Sequence, residues 1–407
     1  MRRAIDRREF LQSTAAGLAA STLWKLQPAH AAPTVEAKNL KIATFRFDAT
    51  PPIGHGCCGG WIKPIEVVDD PMEALGFVLL GAGAPIVICA VDWTGILNEA
   101  HVAWRTALAE AAGTTQDRVS VHCVHQHNAP MACLQAERIV AEQGDLPHLL
   151  DLAFFDRCLT TARAAVAEAL TRPQPVTQIG FGEGKVDKVA GNRRILGADG
   201  KLIAMRGSAS KDPLHHELPE GLIDPNLKTV AFYNGDKKLA SCHYYACHPM
   251  SYYGDGRATA DFCGLARRQR QQDEPDCLHI YFNGCGGNIA AGKYNDGSKE
   301  MRPILTQRIY DGIVLSEKNL KRETVESLRW ATQDILPVTD PKWHASQSLA
   351  QIADKQQSVA NRNRPAYTVS WIRRCEQQIP ITLALHMNDV SLVHFPAESF
   401  IEYQLRK

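Results

Sequence analysis

Apolar residues recur along this chain with two periods. Residues 84–93, APIVICAVDW, form a short run rich in β-branched side chains, the signature of a buried strand. Residues 97–112, LNEAHVAWRTALAEAA, carry apolar groups at helical spacing and end at Gly113. A strand is expected over about 118–125 and an amphipathic helix over 152–170, stopped near Pro173. Further strands are expected at 176–182, 228–234, 238–246, 277–282, 328–336, 378–386 and 389–395, and helices at 261–272, 300–318 and 345–360. The alternation predicts an α/β fold with mixed central β-sheets flanked by helices in a single large domain. The Gly- and polar-rich stretch 184–226 reads as an excursion loop of that domain, and no internal repeat or long linker is visible.

Composition narrows the classes. With 45 basic against 44 acidic side chains, the chain has no nucleic-acid footprint. No apolar run is long enough for a transmembrane segment. The first residues, MRRAIDRREFLQSTAAGLAASTLWKLQPAHAAP, place Arg7-Arg8 ahead of a mildly apolar stretch and a small-residue cleavage site at Ala29-His30-Ala31. That order predicts a twin-arginine (Tat) signal peptide over 1–31, a mature domain over 32–407, and a periplasmic or secreted protein. The alternative is an amphipathic N-terminal helix. Export permits disulfides, yet the twelve cysteines show no paired CxxC, and the adjacent Cys57-Cys58 are poorly placed to bond to each other. Most read as buried apolar thiols.

Residues 121–130, VHCVHQHNAP, hold three histidines. On a strand, His125 and His127 share one face with Cys123, and His122 points away. Such a pair reaches one metal ion or one substrate, or is merely hydrogen-bonded. Three other stretches share its layout of a strand-like run and a polar turn: HYYACHPM (243–250), YFNGCGGNIAAGKYN (281–295) and LVHFPAESF (392–400). Residues just past strand ends gather at one crevice in α/β sheets. Together the stretches offer His125, His127, His248 and Glu398, and a two-histidine, one-glutamate set meets the three-ligand need of a catalytic zinc.

The order of these motifs, with TPPIGH at 50–55, resembles the neutral/alkaline non-lysosomal ceramidase family, specifically its N-terminal catalytic domain. The resemblance covers roughly residues 39–407. It implies a zinc amidase with one Zn2+ per chain, held by His125, His248 and Glu398. His127 matches the substrate-facing histidine and Arg193 the arginine beside the scissile amide. The implied substrate is a small-molecule amide or a lipid-like one.

The chain also departs from that family. Aligning Gly287-Asn288-Ile289 puts Ala290 where the family has a serine near the metal. The family's tyrosine ligand and its C-terminal immunoglobulin-like domain have no counterpart, and the end FIEYQLRK reads as a truncated or short natural form. Other readings are a zinc hydrolase of another acyl or sugar substrate, and an inactive metal-containing binding protein. Cys123, Cys247 and Cys285 read as packing beside the site, His215-His216-Glu217 as a solvated loop, and HGCCGGWIKP (55–64) as a candidate pocket lining.

Overall fold

Two five-stranded sheets stand face to face, in a computed structural model that describes residues 24–26, 30–31, 34–37, 39–376 and 380–406. The first sheet runs Gln174–Pro175, Lys41–Asp48, Glu73–Leu80, Ile86–Val91, Val119–Cys123. Its neighbours are antiparallel except the last pair, where Val91 lies beside Cys123 in parallel register. A parallel pair needs a crossover, and the helix Glu99–Ala112 supplies it. The second sheet runs Lys321–Thr324, Gln178–Lys185, Asn226–Asn234, Lys237–Tyr245, Leu278–Asn283. Again only the last pair is parallel, and Asp261–Asp273 is the crossover helix. Each unit then adds a long helix, Leu152–Ala169 or Met301–Lys318, before a short strand returns to the far edge. Element order and strand order are therefore the same in residues 41–175 and 178–324. No repeat is visible in the sequence, so the duplication is one of topology.

Strand periodicity builds the layers. Along Glu73–Leu80, Leu75, Phe77 and Leu79 face the second sheet, while Ala74 and Val78 join the core under the first unit's helices. Phe77 meets Phe232 of the second sheet with ring centroids 5.2 Å apart. Helix, sheet, sheet and helix thus stack in four layers, which is the expected α/β class with mixed sheets. A third sheet, Ser327–Pro337, Pro380–Met387 and Val390–His394, docks on this stack. Trp330 Nε1 donates to the Asp117 carbonyl at 2.7 Å, and His394 lies against Tyr244 and Phe282.

Several elements differ from expectation. Lys41–Asp48 and Glu73–Leu80 are strands that the expected set lacks. The helix expected over 345–360 is two, Ala345–Ala353 and Val359–Cys375, the second capped by the Ser358 hydroxyl. It runs through Pro365, and the Asn361 carbonyl that Pro365 cannot bond is taken by the Gln351 side chain. The stretch 184–226 carries a hairpin, Arg194–Leu196 with Leu202–Met205, and a short helix, Pro213–Glu217. His216 in that helix bonds the carbonyls of Lys293 and Ser210, so it anchors the excursion rather than facing solvent. Most of segment 1–31 lies outside the described residues; Trp24–Leu26 and His30–Ala31 run antiparallel to Ser327–Pro337.

Candidate metal centre

The four strands of the two parallel pairs end at one edge, and the site is built from the loops beyond them. Val119–Cys123 ends before His125, not after it as the sequence suggests. Val124 N bonds the Val91 carbonyl and His125 N the Trp93 carbonyl, and His125 takes a left-handed φ of 80°. A non-glycine residue in that region stores strain, which persists where the surroundings over-determine it. Turn geometry, rather than a shared strand face, therefore brings His125 and His127 together, with Nε2 atoms 3.4 Å apart. His248 follows the end of Lys237–Tyr245 and places its Nε2 3.2 Å from that of His125. Glu398 follows the third sheet. Its two carboxylate oxygens lie 3.4 Å from His125 Nε2 and 3.5 Å from His248 Nε2.

Backbone carbonyls fix the outer side of two rings. His125 Nδ1 bonds the Thr94 carbonyl at 2.6 Å, and His248 Nδ1 bonds the Gly286 carbonyl at 3.0 Å. A carbonyl only accepts, so both Nδ1 atoms carry hydrogen and both Nε2 lone pairs face inward. Outer bonds of this kind orient histidine metal ligands. His127 differs: its Nδ1 faces the Cys58 thiol at 3.8 Å, which leaves its tautomer free.

The glycine turn 284–288 holds the Glu398 segment. Gly287 N bonds the Ser399 carbonyl, Ile401 N bonds Asn288 Oδ1, and Cys285 N bonds Gln404 Oε1. A Cβ on Gly287 would stand 2.1 Å from the Glu398 carbonyl oxygen, so only glycine permits this approach. Gly286 and Gly287 are the turn residues that touch His248 and Glu398. Ala290 instead pairs with Gly191 and is buried. Arg193, just past the strand Gly191–Asn192, bonds the Asn288 carbonyl through its backbone N–H and Ser208 Oγ through Nη2, leaving a buried Nε without a partner.

Electrostatics keep His248 and His127 neutral and Glu398 ionised, whereas His125 is drawn toward its protonated form by Glu398. Burial and the neighbouring charges of His125 and Arg193 push His248 down to about 4. Burial, with His125 and His248 beside it, holds His127 well below 6.5. Burial opposes ionisation of Glu398, but the His125 hydrogen bond and the three imidazoles outweigh it and bring the carboxyl to about 2. On His125 burial acts downward, and the Glu398 bond and charge reverse it, raising the imidazole. Tetrahedral ligands at zinc–nitrogen distances of about 2.0–2.1 Å lie about 3.3 Å apart. The contacts of 3.2–3.5 Å among His125, His248, His127 and Glu398 fit that spacing. His125, His127 and His248 form a candidate metal-binding group.

The neutral ceramidase from Pseudomonas aeruginosa superposes with a TM-score of 0.55 over 72% of this chain and 47% of its own, at 16% identity. A ceramidase complexed with C2 superposes equally, with a TM-score of 0.55 over 72% and 46%, at 14% identity. The fold is ceramidase-like. The chain spans about half the length of those two structures. No sequence family matches it, and no curated protein does.

Sequence reasoning missed the Thr94 carbonyl, which has no side-chain signal, and Tyr253, whose ring lies 5.4 Å from His127. In 55–64, Cys58 reaches the site, whereas His55 is buried and accepts from Asp151 N at 3.3 Å. All twelve cysteines are free thiols. A second histidine cluster sits at the opposite end of the second sheet: His243 Nε2 to His279 Nδ1 at 3.0 Å, with Glu317 and Glu274 nearby. Lys238 bridges the two glutamates at 2.8 and 2.7 Å, and Thr229, Ser241 and Arg270 complete the bonding. That cluster is a satisfied polar network with its own cations.

Proposed function

We propose that this chain is an exported zinc-dependent hydrolase of amide (N-acyl) bonds. The observation that carries the reading is the convergence of two carbonyl-locked histidines and one carboxylate, with a third imidazole beside them. The ceramidase-like fold supports a hydrolase. His125, His248 and Glu398 would hold the metal, which supplies Lewis acidity and activates a water. His127 enters the reaction neutral and moves a proton from the attacking water to the leaving amine at Nε2. Arg193, steadied by Ser208, has an unpaired Nε–H for the developing oxyanion. The Arg7-Arg8 leader supports export as a folded protein.

The test is metal analysis with an activity screen. Purified protein should contain about one zinc per chain. His248→Ala should lose stoichiometric zinc together with cleavage of N-acyl amides. Full zinc occupancy in that variant sinks the ligand assignment. Zinc with no turnover on amide, ester or sugar N-acyl substrates makes this a metal-containing binding protein. Replacing Arg7 and Arg8 by lysine should trap the precursor in the cytoplasm, and unchanged export would refute the leader reading.

A further inference from the structure

One wall of the site is made by the turn 58–61 and the helix Val359–Cys375. Cys58, Gly59 and Gly60 take successive left-handed φ values of 46°, 72° and 73°. Cys58 N bonds the Ala129 carbonyl, which ties the turn to the His127 loop. A Cβ on Gly59 would lie 2.9 Å from Tyr367 Oη, and one on Gly60 2.8 Å from Asn363 Nδ2. The turn is thus pressed between the helix and His127. It ends at Trp61, whose ring meets Tyr367 edge-on at 5.8 Å. The exposed guanidinium of Arg364 lies 5.2 Å from the centre of the Trp61 ring.

Among the described residues, Arg364 makes no ion pair. Burial and the Glu398 charge hold the Cys58 thiol up at about 12, and Arg364 acts against them. Two donors of the same wall, Trp61 Nε1 and Tyr367 Oη, are buried without acceptors. Across the site, Arg193 adds a second cation. The acid of the site, Glu398, is committed to the histidines, and Asp255 accepts from Asn128 Nδ2 and Arg257 N at Oδ1, with Oδ2 buried and unpaired. Arg364 is thus a cation of this wall that is stacked on an indole and free of any ion pair among the described residues. Stacking on an indole holds a guanidinium plane and leaves its N–H edges free for two-point bonding to a carboxylate.

We infer that Arg364, carried on Trp61, is a specificity-determining residue that selects amides bearing a carboxylate, the N-acyl amino acid class, over neutral amides. The inference rests on the proposed hydrolase reading. A neutral amide gains nothing from this cation, whereas a carboxylate makes a charge-assisted pair on a partly apolar platform.

Binding of an analogue whose N-acyl bond is replaced by a sulfonamide tests it on the zinc-loaded full chain. The probes are octanesulfonylglycine and its N-methylamide, followed by titration calorimetry and by Trp fluorescence, with zinc content measured on each sample. The carboxylate should bind about tenfold more tightly than the methylamide. Arg364→Gln should abolish that difference at unchanged zinc content, and Arg364→Lys should keep part of it. Equal binding of the two probes by the native protein, or a preference that survives Arg364→Gln, overturns the inference. Native protein without zinc sinks the hydrolase reading as well, whereas zinc with no charge preference sinks only the role of Arg364.

Discussion

Residues 41–175 and 178–324 share one topology and contribute to the site by opposite rules. In the first unit, the histidine follows the crossover strand Val119–Cys123, and its Nδ1 bonds a carbonyl in the loop after Ile86–Val91. In the second, the histidine follows the third strand Lys237–Tyr245, and its Nδ1 bonds a carbonyl in the loop after the crossover strand Leu278–Asn283. Histidine and carbonyl have changed places. The buried ladders differ as much: where Val87 lies beside Val119 and Cys89 beside Val121, the second unit has Ser241 beside His279 and His243 beside Tyr281. Shared topology fixes where loops converge, and loop residues alone decide which side chain becomes a ligand.

The largest expected effect lies at the joint between the units. Arg267 of the second crossover helix is buried and bonds Glu73 and Asp92 of the first unit, each at 2.9 Å. Asp92 also holds Gln126, inside the His125 loop. Arg267→Ala leaves two acids facing a vacated site, and should cost about 3–5 kcal/mol in chemical denaturation. A cost under about 1 kcal/mol would mean that the units cohere without this pair.

Next is the contrast between the helix-facing cores. Glu317→Gln removes the counter-charge of Lys238 and Arg270 and should cost several kcal/mol, whereas Val166→Ala in the matching helix of the first unit should cost about 2 kcal/mol. Burial opposes the Glu317 charge, but His243, His279 and Lys238 outweigh it and hold the carboxyl far below its usual range. Its contribution is therefore full above pH of about 4.5 and lost as pH falls toward the folded value. The Glu317→Gln penalty should shrink below pH of about 4.5, and a penalty constant with pH would show that the loss is one of packing.

The smallest effect concerns the turn that holds the carboxylate. Gly287→Ala pushes the Glu398 backbone away and should weaken zinc binding by about 10–100-fold while leaving His125 and His248 bonded to their carbonyls. Unchanged affinity by competitive chelator titration would show that Glu398 is dispensable. Ala290→Ser, by contrast, should leave zinc affinity unchanged.

Much of this arrangement is legible in the sequence, because strand ends and tight turns leave short local signals. VHQH, CHP, the glycine turn and PAES point to one crevice, and their residues do converge. The expected zinc role of these residues belongs to the proposal. What stays hidden has physical causes. Glu73–Leu80 is apolar at nearly every position, so its period does not separate strand from helix. Lys41–Asp48 alternates more clearly, with Phe45 and Phe47 inward, and its period is that of a strand. Pro365 hides the length of its helix, since the Gln351 side chain that compensates lies in another helix. The duplication is invisible because matching positions need only fill volume, and one ladder does so with valines and the other with hydrogen-bonded histidines.

The three candidate ligands leave the ribosome far apart: 123 residues separate His125 from His248, and 150 separate His248 from Glu398. At about 5–20 residues per second, the two histidine loops wait many seconds for their carboxylate. A metal met early finds three imidazoles and no anion. The segment 396–404, latching onto Gly287 and Asn288, adds a carboxylate to the cluster of imidazoles. On the proposed reading, metal capture would be timed to the docking of the third sheet, and a chain that stalls before it would have no finished cup to fill.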